Sequence, residues 1–440
     1  MKLGSVRHSF LAMPHPHKMG GGSLSLFLIL LGLLIKMGSS GPPRAPSILP
    51  DGSDNSLSDR RQSTMAQFVT VNETFVLKHM ALDPQSGSVY VGAINRLYEM
   101  DPNLRLEATV VTGPKLDNPN CHASGCESDS NSELTNNVNK VLLVDTNSRT
   151  LISCGSVAQG ACHKYNLTNI TLPPEFAPHA VAANDGRSST FAFIGPSKYL
   201  WAVANVLYVG TTFTNNGDYR HDVPAISSRN LYNFDYAEYS FAKQSMLRID
   251  VKYRDHFLVE YVYGFNASDY VYFVLVQKQS YLHGFEEQGY ASRLARMCIT
   301  DANYDTYTEV TLECTGQDGV KYNIVQDSKV IGASEGLAKS LGIKQGELVL
   351  VAVFAQSQGI TNEPQSKSAV CVYSMREVDA KFSENIHMCL NGSVENRNMD
   401  YISGPILDGK CYKPGVSNLD FFHHSSIHFI RIIQSVFFSC

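Results

Sequence analysis

His79-Met-Ala-Leu-Asp83 followed by Ser88-Val-Tyr-Val-Gly92 is matched, one unit further on, by Val141-Leu-Leu-Val-Asp145 followed by Thr150-Leu-Ile-Ser-Cys-Gly155. Both read as a strand, an Asp turn, a second strand and a small residue. Leu207-Tyr-Val-Gly210 repeats the second half. Gly92, Gly155 and Gly210 lie 63 and 55 residues apart, a spacing compatible with four-stranded blades that carry long loops. A degenerate repeat of this kind favours a β-propeller.

The texture outward from this stretch agrees. Tyr270-Val-Tyr-Phe-Val-Leu-Val276, Tyr307-Thr-Glu-Val-Thr-Leu312 and Glu347-Leu-Val-Leu-Val-Ala-Val-Phe354 are short, β-branched or aromatic runs bounded by turn residues, which is the strand signal. Helical periodicity shows twice. Ser334 can cap a short helix through Leu337, Ala338 and Leu341, ended by Gly342, and Val378–Phe382 suggests another. Strand arrays without alternating helices exclude a parallel α/β sheet and leave a sandwich, barrel or propeller.

The N-terminus reads as an export signal. Lys2, Arg7 and Lys18 precede the 12-residue apolar run Leu24–Ile35, and Ser39, Ser40 and Gly41 supply small residues for cleavage. Twelve residues fall short of the roughly 20 needed to span a bilayer, which argues against an uncleaved anchor. No later segment is long enough to span; Ile427–Phe438 carries Arg431 and Gln434. Residues 1–40 are therefore expected to be a signal peptide, and residues 41–66, rich in Gly, Pro, Ser and Asp, a flexible leader. Ten scattered cysteines and the sequons at Asn72, Asn166, Asn169, Asn266 and Asn391 suit a secreted, disulfide-bonded glycoprotein.

A net charge of −5 with no basic stripe argues against nucleic acid as a partner. No phosphate-binding loop, His-Glu-x-x-His or Gly-x-Ser-x-Gly motif occurs, so neither an enzyme nor a cofactor is expected. Zinc is disfavoured because Cys154 and Cys162 are spaced too widely for a structural site. The histidines at 15, 17, 423, 424 and 428 read as chance neighbours. Thr211-Thr-Phe-Thr-Asn-Asn-Gly-Asp-Tyr-Arg-His-Asp-Val223 follows a strong strand and mixes Phe213, Asn216, Tyr219 and Arg220, a composition that suits protein binding. Its bland alternative is a solvated loop.

Several blocks then carry a resemblance. Cys154-Gly-Ser-Val-Ala-Gln-Gly-Ala-Cys162, Ser227-Ser-Arg-Asn-Leu231, Ser292-Arg-Leu-Ala-Arg-Met-Cys298, Tyr307-Thr-Glu-Val-Thr-Leu-Glu-Cys314 and Ser368-Ala-Val-Cys-Val-Tyr-Ser-Met-Arg376 follow one another in the order found in plexins. From Gln67 to Leu419 the chain resembles the N-terminal extracellular sema domain of that family. The resemblance implies an all-β, seven-bladed propeller with an insertion near the fifth blade, and a non-enzymatic role in semaphorin–plexin signalling and axon guidance. It implies a semaphorin as protein ligand, with co-receptors or a second copy of the chain as further partners. It places the ligand face around the third and fourth blades. It also implies the disulfides Cys121–Cys126, Cys154–Cys162, Cys298–Cys411 and Cys314–Cys371.

The likeness ends near Phe422. Residues 67–422 are expected to form a sema domain whose last blade is incomplete, and residues 423–440 a non-homologous tail. On that reading Cys389 lacks its family partner, Cys440 is its one spare candidate, and the opened ring leaves the product defective in folding. The plexin relatives span the plasma membrane, whereas this chain is expected to be secreted. A decoy that sequesters semaphorin is the alternative within the class. A secreted propeller glycosidase, marked by paired carboxylates around a central channel, is the alternative outside it.

Overall fold

A computed structural model describes residues 76–126, 131–199, 202–240, 244–317, 319–390 and 399–403. The expected signal peptide and leader, Asn72, Asn391, Cys411, Cys440 and the 423–440 tail lie outside the described residues.

The quoted repeat builds the same turn twice. Asp83 accepts hydrogen bonds from the Gln85 amide (3.1 Å) and the Ser86 hydroxyl (2.7 Å). Asp145 accepts from the Asn147 amide (3.0 Å) and the Ser148 hydroxyl (2.6 Å). Each turn joins the first two strands of a blade. Blade I comprises β1 (Leu77–Leu82), β2 (Val89–Ala93), β3 (Arg96–Met100) and β4 (Leu106–Val111), antiparallel in chain order. A small hairpin, β5 (Lys115–Asp117) with β6 (Glu133–Thr135), leads into blade II. Blade II is β7 (Val141–Asp145), β8 (Thr150–Cys154), β9 (Cys162–Asn166) and β10 (Glu175–Ala177).

Blade III holds the long hairpin β11 (Thr190–Tyr199) and β12 (Ala202–Thr211), then β13 (Ile226–Asn230) and β14 (Met246–Ile249). A single helical turn, α1 (Val251–Arg254), leads to blade IV: β15 (Glu260–Ala267), β16 (Tyr270–Lys278), β17 (Tyr290–Cys298) and β18 (Thr308–Thr311). The ribbon β19 (Cys314–Thr315) with β20 (Lys321–Tyr322) precedes blade V, which is β21 (Ile324–Gly332), β22 (Leu348–Ser357) and β23 (Pro364–Ser374). Helix α2 (Glu335–Leu341) sits between β21 and β22, capped as expected: the Ser334 hydroxyl accepts from the Leu337 amide, and Gly342 turns left-handed at φ 66°. The chain is thus an all-β propeller, with five blades within the described residues.

Each blade packs on the next through a separate apolar layer. Tyr90 and Leu97 meet Leu142 and Leu151 between blades I and II, and Ile152 and Cys154 meet Leu207 and Val209 between II and III. Tyr208 and Ile226 meet Tyr261 and Phe273 between III and IV, and Tyr272 and Leu294 meet Leu350 and Phe354 between IV and V. Close approach explains the small repeat residues. A Cβ on Gly92 would lie 2.3 Å from the Asn139 side chain ahead of blade II, and one on Gly210 would lie 2.3 Å from the Tyr261 ring of blade IV. Larger residues there would push neighbouring blades apart.

Two features go beyond the sequence reading. The second helix is longer than its Val378–Phe382 core: α3 runs Met375–Leu390 and buries Val378, Phe382 and Ile386. It is pinned by Arg296 of β17, which lies between the rings of Tyr270 (4.1 Å) and Phe382 (4.4 Å) and reaches Asp379 at 3.3 Å. Beyond α3 the chain returns to blade III, where β24 (Ile402–Ser403) pairs antiparallel with β14. Tyr401 enters the layer between blades III and IV, and its hydroxyl donates to the buried Glu309.

Disulfides join Cys121 to Cys126, Cys154 to Cys162 and Cys314 to Cys371. Cys298 is also disulfide-bonded; Cys411, the partner that the resemblance implies, lies outside the described residues. Cys389, buried near the end of α3, is disulfide-bonded as well; Cys440, the one spare candidate for it, lies outside the described residues.

Candidate ligand-binding face

The Thr211–Val223 loop connects β12 to β13 and is built as a braced structure. Gly217 takes φ 77°, and a Cβ there would lie 1.9 Å from the Pro119 carbonyl oxygen, so the loop rests directly on the 115–121 segment. Asn216 and Asn184 lock together: the Asn184 side-chain amide donates to the Asn216 carbonyl (3.0 Å) and the Asn216 amide donates back to the Asn184 carbonyl (3.1 Å). The Thr214 hydroxyl donates to the Asn184 side chain at 2.5 Å.

The hub of this bracing is Gln159, inside the short loop closed by Cys154 and Cys162. Its amide donates to the carbonyls of Pro119 and Cys121, both at 2.7 Å, and its side-chain oxygen accepts from Asn184 at 2.8 Å. Gln159 stands at φ 57° and its neighbour Ala158 at φ 51°, a left-handed pair that costs each residue about 1 kcal/mol or more. One disulfide-closed turn thereby holds three segments in one arrangement.

The four loop residues singled out from the sequence divide by role. The Asn216 side chain belongs to the brace. Phe213 stacks on His221 (centroids 5.7 Å apart) with the Arg254 guanidinium 5.6 Å from its ring centre. Arg220 donates to the Gly217 carbonyl at 2.7 Å and so secures the loop's single helical turn. Tyr219 turns the other way and meets the His122 ring edge-on at 5.4 Å. The loop is neither a free solvated segment nor a buried one: Phe213, Tyr219 and Arg220 are all half-buried.

Charges of both signs surround it, Asp255 and Asp222 opposing Arg254 and Arg220 at His221. His221 Nδ1 lies 2.8 Å from an Arg254 N–H, which can only donate, so Nδ1 accepts and the proton sits on Nε2. Burial, then the Arg254 and Arg220 charges, push the His221 pKa down. Arg248 donates to the His221 carbonyl. Arg229, in the Ser227–Leu231 block, is buried and donates to Ser227 Oγ (3.1 Å) and to the carbonyls of Phe234 (2.9 Å) and Ala180 (2.8 Å), with the Tyr236 ring 4.6 Å away.

Sequence reasoning missed Gln159 as an organiser, and also His122, His179, Arg229 and Arg248 beside the loop. The only local signal was the Cys154–Cys162 and Ser227–Leu231 blocks, which marked the positions without assigning them work. Among the sequon asparagines that the structure describes, Asn166, Asn169 and Asn266 are exposed. No set of three or more His, Cys, Asp or Glu side chains is grouped to hold a metal ion among the described residues. No helix there is long and apolar enough to cross a membrane.

Comparison with known proteins finds that the Sema domain family profile matches residues 325–431. The chain is also similar to plexins. The chain is 31% identical over 360 residues to plexin-A4 of Danio rerio, covering 77% of this chain and 19% of the relative. It is 29% identical over 368 residues to plexin-A2 of Mus musculus, covering 79% and 19% respectively. The solved plexin A4 extracellular region superposes with a TM-score of 0.62 at 29% identity, covering 71% of this chain and 35% of that one. The likeness to plexins read from the motifs is borne out. The chain spans about a fifth of the length of the curated relatives it matches.

Proposed function

We propose that this chain is an extracellular protein-binding module that engages a semaphorin through the face carried by the Thr211–Val223 loop, and that it has no catalytic role. The observation that carries the reading is the braced loop itself. On a plexin-like propeller, Phe213 and Tyr219 are held half-exposed by the Gln159–Asn184 hub, so binding costs little further ordering. Tyr and Arg in such rigid settings are the residue types that dominate interface energy. The exposed sequons at Asn166, Asn169 and Asn266 and the apolar run Leu24–Ile35 support secretion and glycosylation; deglycosylation of secreted protein with a mobility shift is the matching check.

The test is surface plasmon resonance of the purified full chain against a panel of semaphorin ectodomains. Tyr219→Ala is expected to weaken binding by about 2 kcal/mol or more, with a smaller loss for Arg220→Ala through loosening of the loop. Unchanged binding by both variants removes the loop from the interface. Failure of the unaltered chain to bind any semaphorin refutes the partner.

A further inference from the structure

Among the described residues the half-cystines fall into two classes. Cys154, Cys162, Cys298, Cys314, Cys371 and Cys389 are all buried. Cys121 is half-buried and Cys126 is exposed. Their bond also makes a short link, spanning 5 residues against 8 for Cys154–Cys162 and 57 for Cys314–Cys371. A short link restricts the unfolded chain least, so the fold gives it least protection against reduction. Exposure lets a thiolate reach the sulfur, and exposed disulfides are the ones that exchange.

The surroundings give this bond a consequence. The Ser132 hydroxyl donates to Cys126 Sγ at 3.4 Å, a donor placed to hold negative charge on that sulfur. The turn is tied to the fold at its Cys121 end, where the Cys121 amide donates to the Asn118 carbonyl (2.9 Å) and the Cys121 carbonyl accepts from Gln159 (2.7 Å). Beyond Cys121 the Ser124 and Gly125 amides bond back within the turn, to His122 Nδ1 (3.1 Å) and the His122 carbonyl (3.0 Å), and Ala123 adds one buried methyl. The disulfide closes this turn, and the turn presents the His122 ring to Tyr219.

We propose that Cys121–Cys126 is a redox-labile link, opened by a dithiol reductant while the rest of the domain stays folded, and that its opening frees the Tyr219 end of the Thr211–Val223 loop. The second half rests on the reading of that loop as a binding face and adds a control to it. One thiolate of the reductant attacks Cys121 Sγ; the S–S bond breaks, and its electron pair leaves on Cys126 Sγ beside the Ser132 hydroxyl. The reductant's second thiolate then displaces Cys121 Sγ from the mixed disulfide. The protein gains two electrons and takes up the two thiol protons, and the reductant departs as its own disulfide. Cys121 stays pinned to Gln159, whereas His122 is no longer held against Tyr219.

The experiment treats the full secreted chain with dithiothreitol under native conditions. Thiols that appear are capped at intervals with N-ethylmaleimide and located by peptide mapping. Cys121 and Cys126 are expected to be capped about tenfold faster than the buried half-cystines. Equal rates, or earlier capping of Cys154 and Cys162, overturn the link. Amide hydrogen exchange of the selectively reduced chain reads the second half. The Asp222 amide, which donates to the Tyr219 carbonyl at 2.9 Å, should exchange about tenfold faster than in the oxidised chain while the amides of β16 keep their protection. The double variant Cys121→Ser with Cys126→Ser should show the same pattern without reductant. An Asp222 amide that reduction leaves unchanged overturns the release of the loop. A semaphorin arm separates the two readings. Selective opening in a chain that binds no semaphorin keeps the link and sinks the semaphorin assignment. Semaphorin binding by a chain whose Cys121 and Cys126 react no faster than the buried half-cystines does the reverse.

Discussion

Asp83 and Asp145 occupy the same turn in successive blades, and this pairing isolates what an inter-blade ion pair contributes. The Asp83 side chain is wholly buried, and the Arg149 guanidinium reaches across from blade II to both of its oxygens, at 3.1 and 2.9 Å. Asp145, also buried, makes the equivalent amide and hydroxyl bonds with no cation partner among the described residues. Losing the two turn bonds should cost about 1–2 kcal/mol in either blade. Loss of the Arg149 contact adds about 1–2 kcal/mol for Asp83, less than for a fully buried pair because Arg149 is 36% exposed and part of its charge is already screened by water. Asp83→Ala is thus expected to destabilise by about 3 kcal/mol and Asp145→Ala by about half that. In urea unfolding, the double-mutant cycle of Asp83→Ala with Arg149→Ala should show a coupling of about 1–2 kcal/mol. Burial opposes ionisation of Asp83, but the bonds from Ser86, Gln85 and Arg149 outweigh it and hold the carboxyl below its usual range. Its contribution is therefore present above the unfolded carboxyl pKa and is lost as pH falls through the lower folded value. The margin over Asp83→Ala should shrink in acid. Equal costs for the two alanine variants, or no coupling, would show that the blades are held without this pair.

Two further outcomes are expected from other blades. Asp327 on β21 is pushed up to about 6, chiefly by burial, so its stabilising neutral form is lost as pH rises through that value; Asp327→Asn, which keeps the bond from the Ser328 amide, should gain about 1–2 kcal/mol at pH 7 and nothing at pH 4, read as thermal midpoints across that range. Cys314→Ser with Cys371→Ser opens a link of 57 residues, worth about 4 kcal/mol in the chain-entropy view, whereas opening Cys154–Cys162, separated by 8 residues, should cost about 2.5 kcal/mol globally but loosen the Gln159 hub; a larger global loss from the short link would contradict this ordering.

How much of this was legible follows from where each determinant sits in the chain. The blades announce themselves locally. An Asp turn closes its own hydrogen bonds within three residues, and a glycine marks the place where the next blade presses, so both leave a signature in a short window. Helix α2 is equally local, with Ser334 and Gly342 at its two ends. Helix α3 was only half visible, because its later turns carry Ser383, Asn385 and His387, weak helix formers. What holds it is Arg296, some 80 residues earlier, between Tyr270 and Phe382. The two-residue strand β24 has no signature of its own; Tyr401 and Glu309 decide its position, and they meet only once blades III and IV exist.

The binding face shows the same division more sharply. Its loop stood out because Phe213, Tyr219 and Arg220 fall within one short stretch of sequence. The groups beside the loop do not share a segment: His122 is fixed by a disulfide turn, His179 by the exit from blade II, and Arg229 and Arg248 by two strands of blade III. A propeller brings loops from successive blades to one rim, so its chemistry is assembled across blade boundaries while its fold is written within them. Gln159 is the join between the two. Its left-handed backbone is strained, and it is held by three bonds to segments on either side, Pro119 and Cys121 on one and Asn184 on the other. A glutamine in a short disulfide loop carries no functional signal in a sequence, yet this one ties the Cys121–Cys126 turn, through Asn184, to the Thr211–Val223 loop.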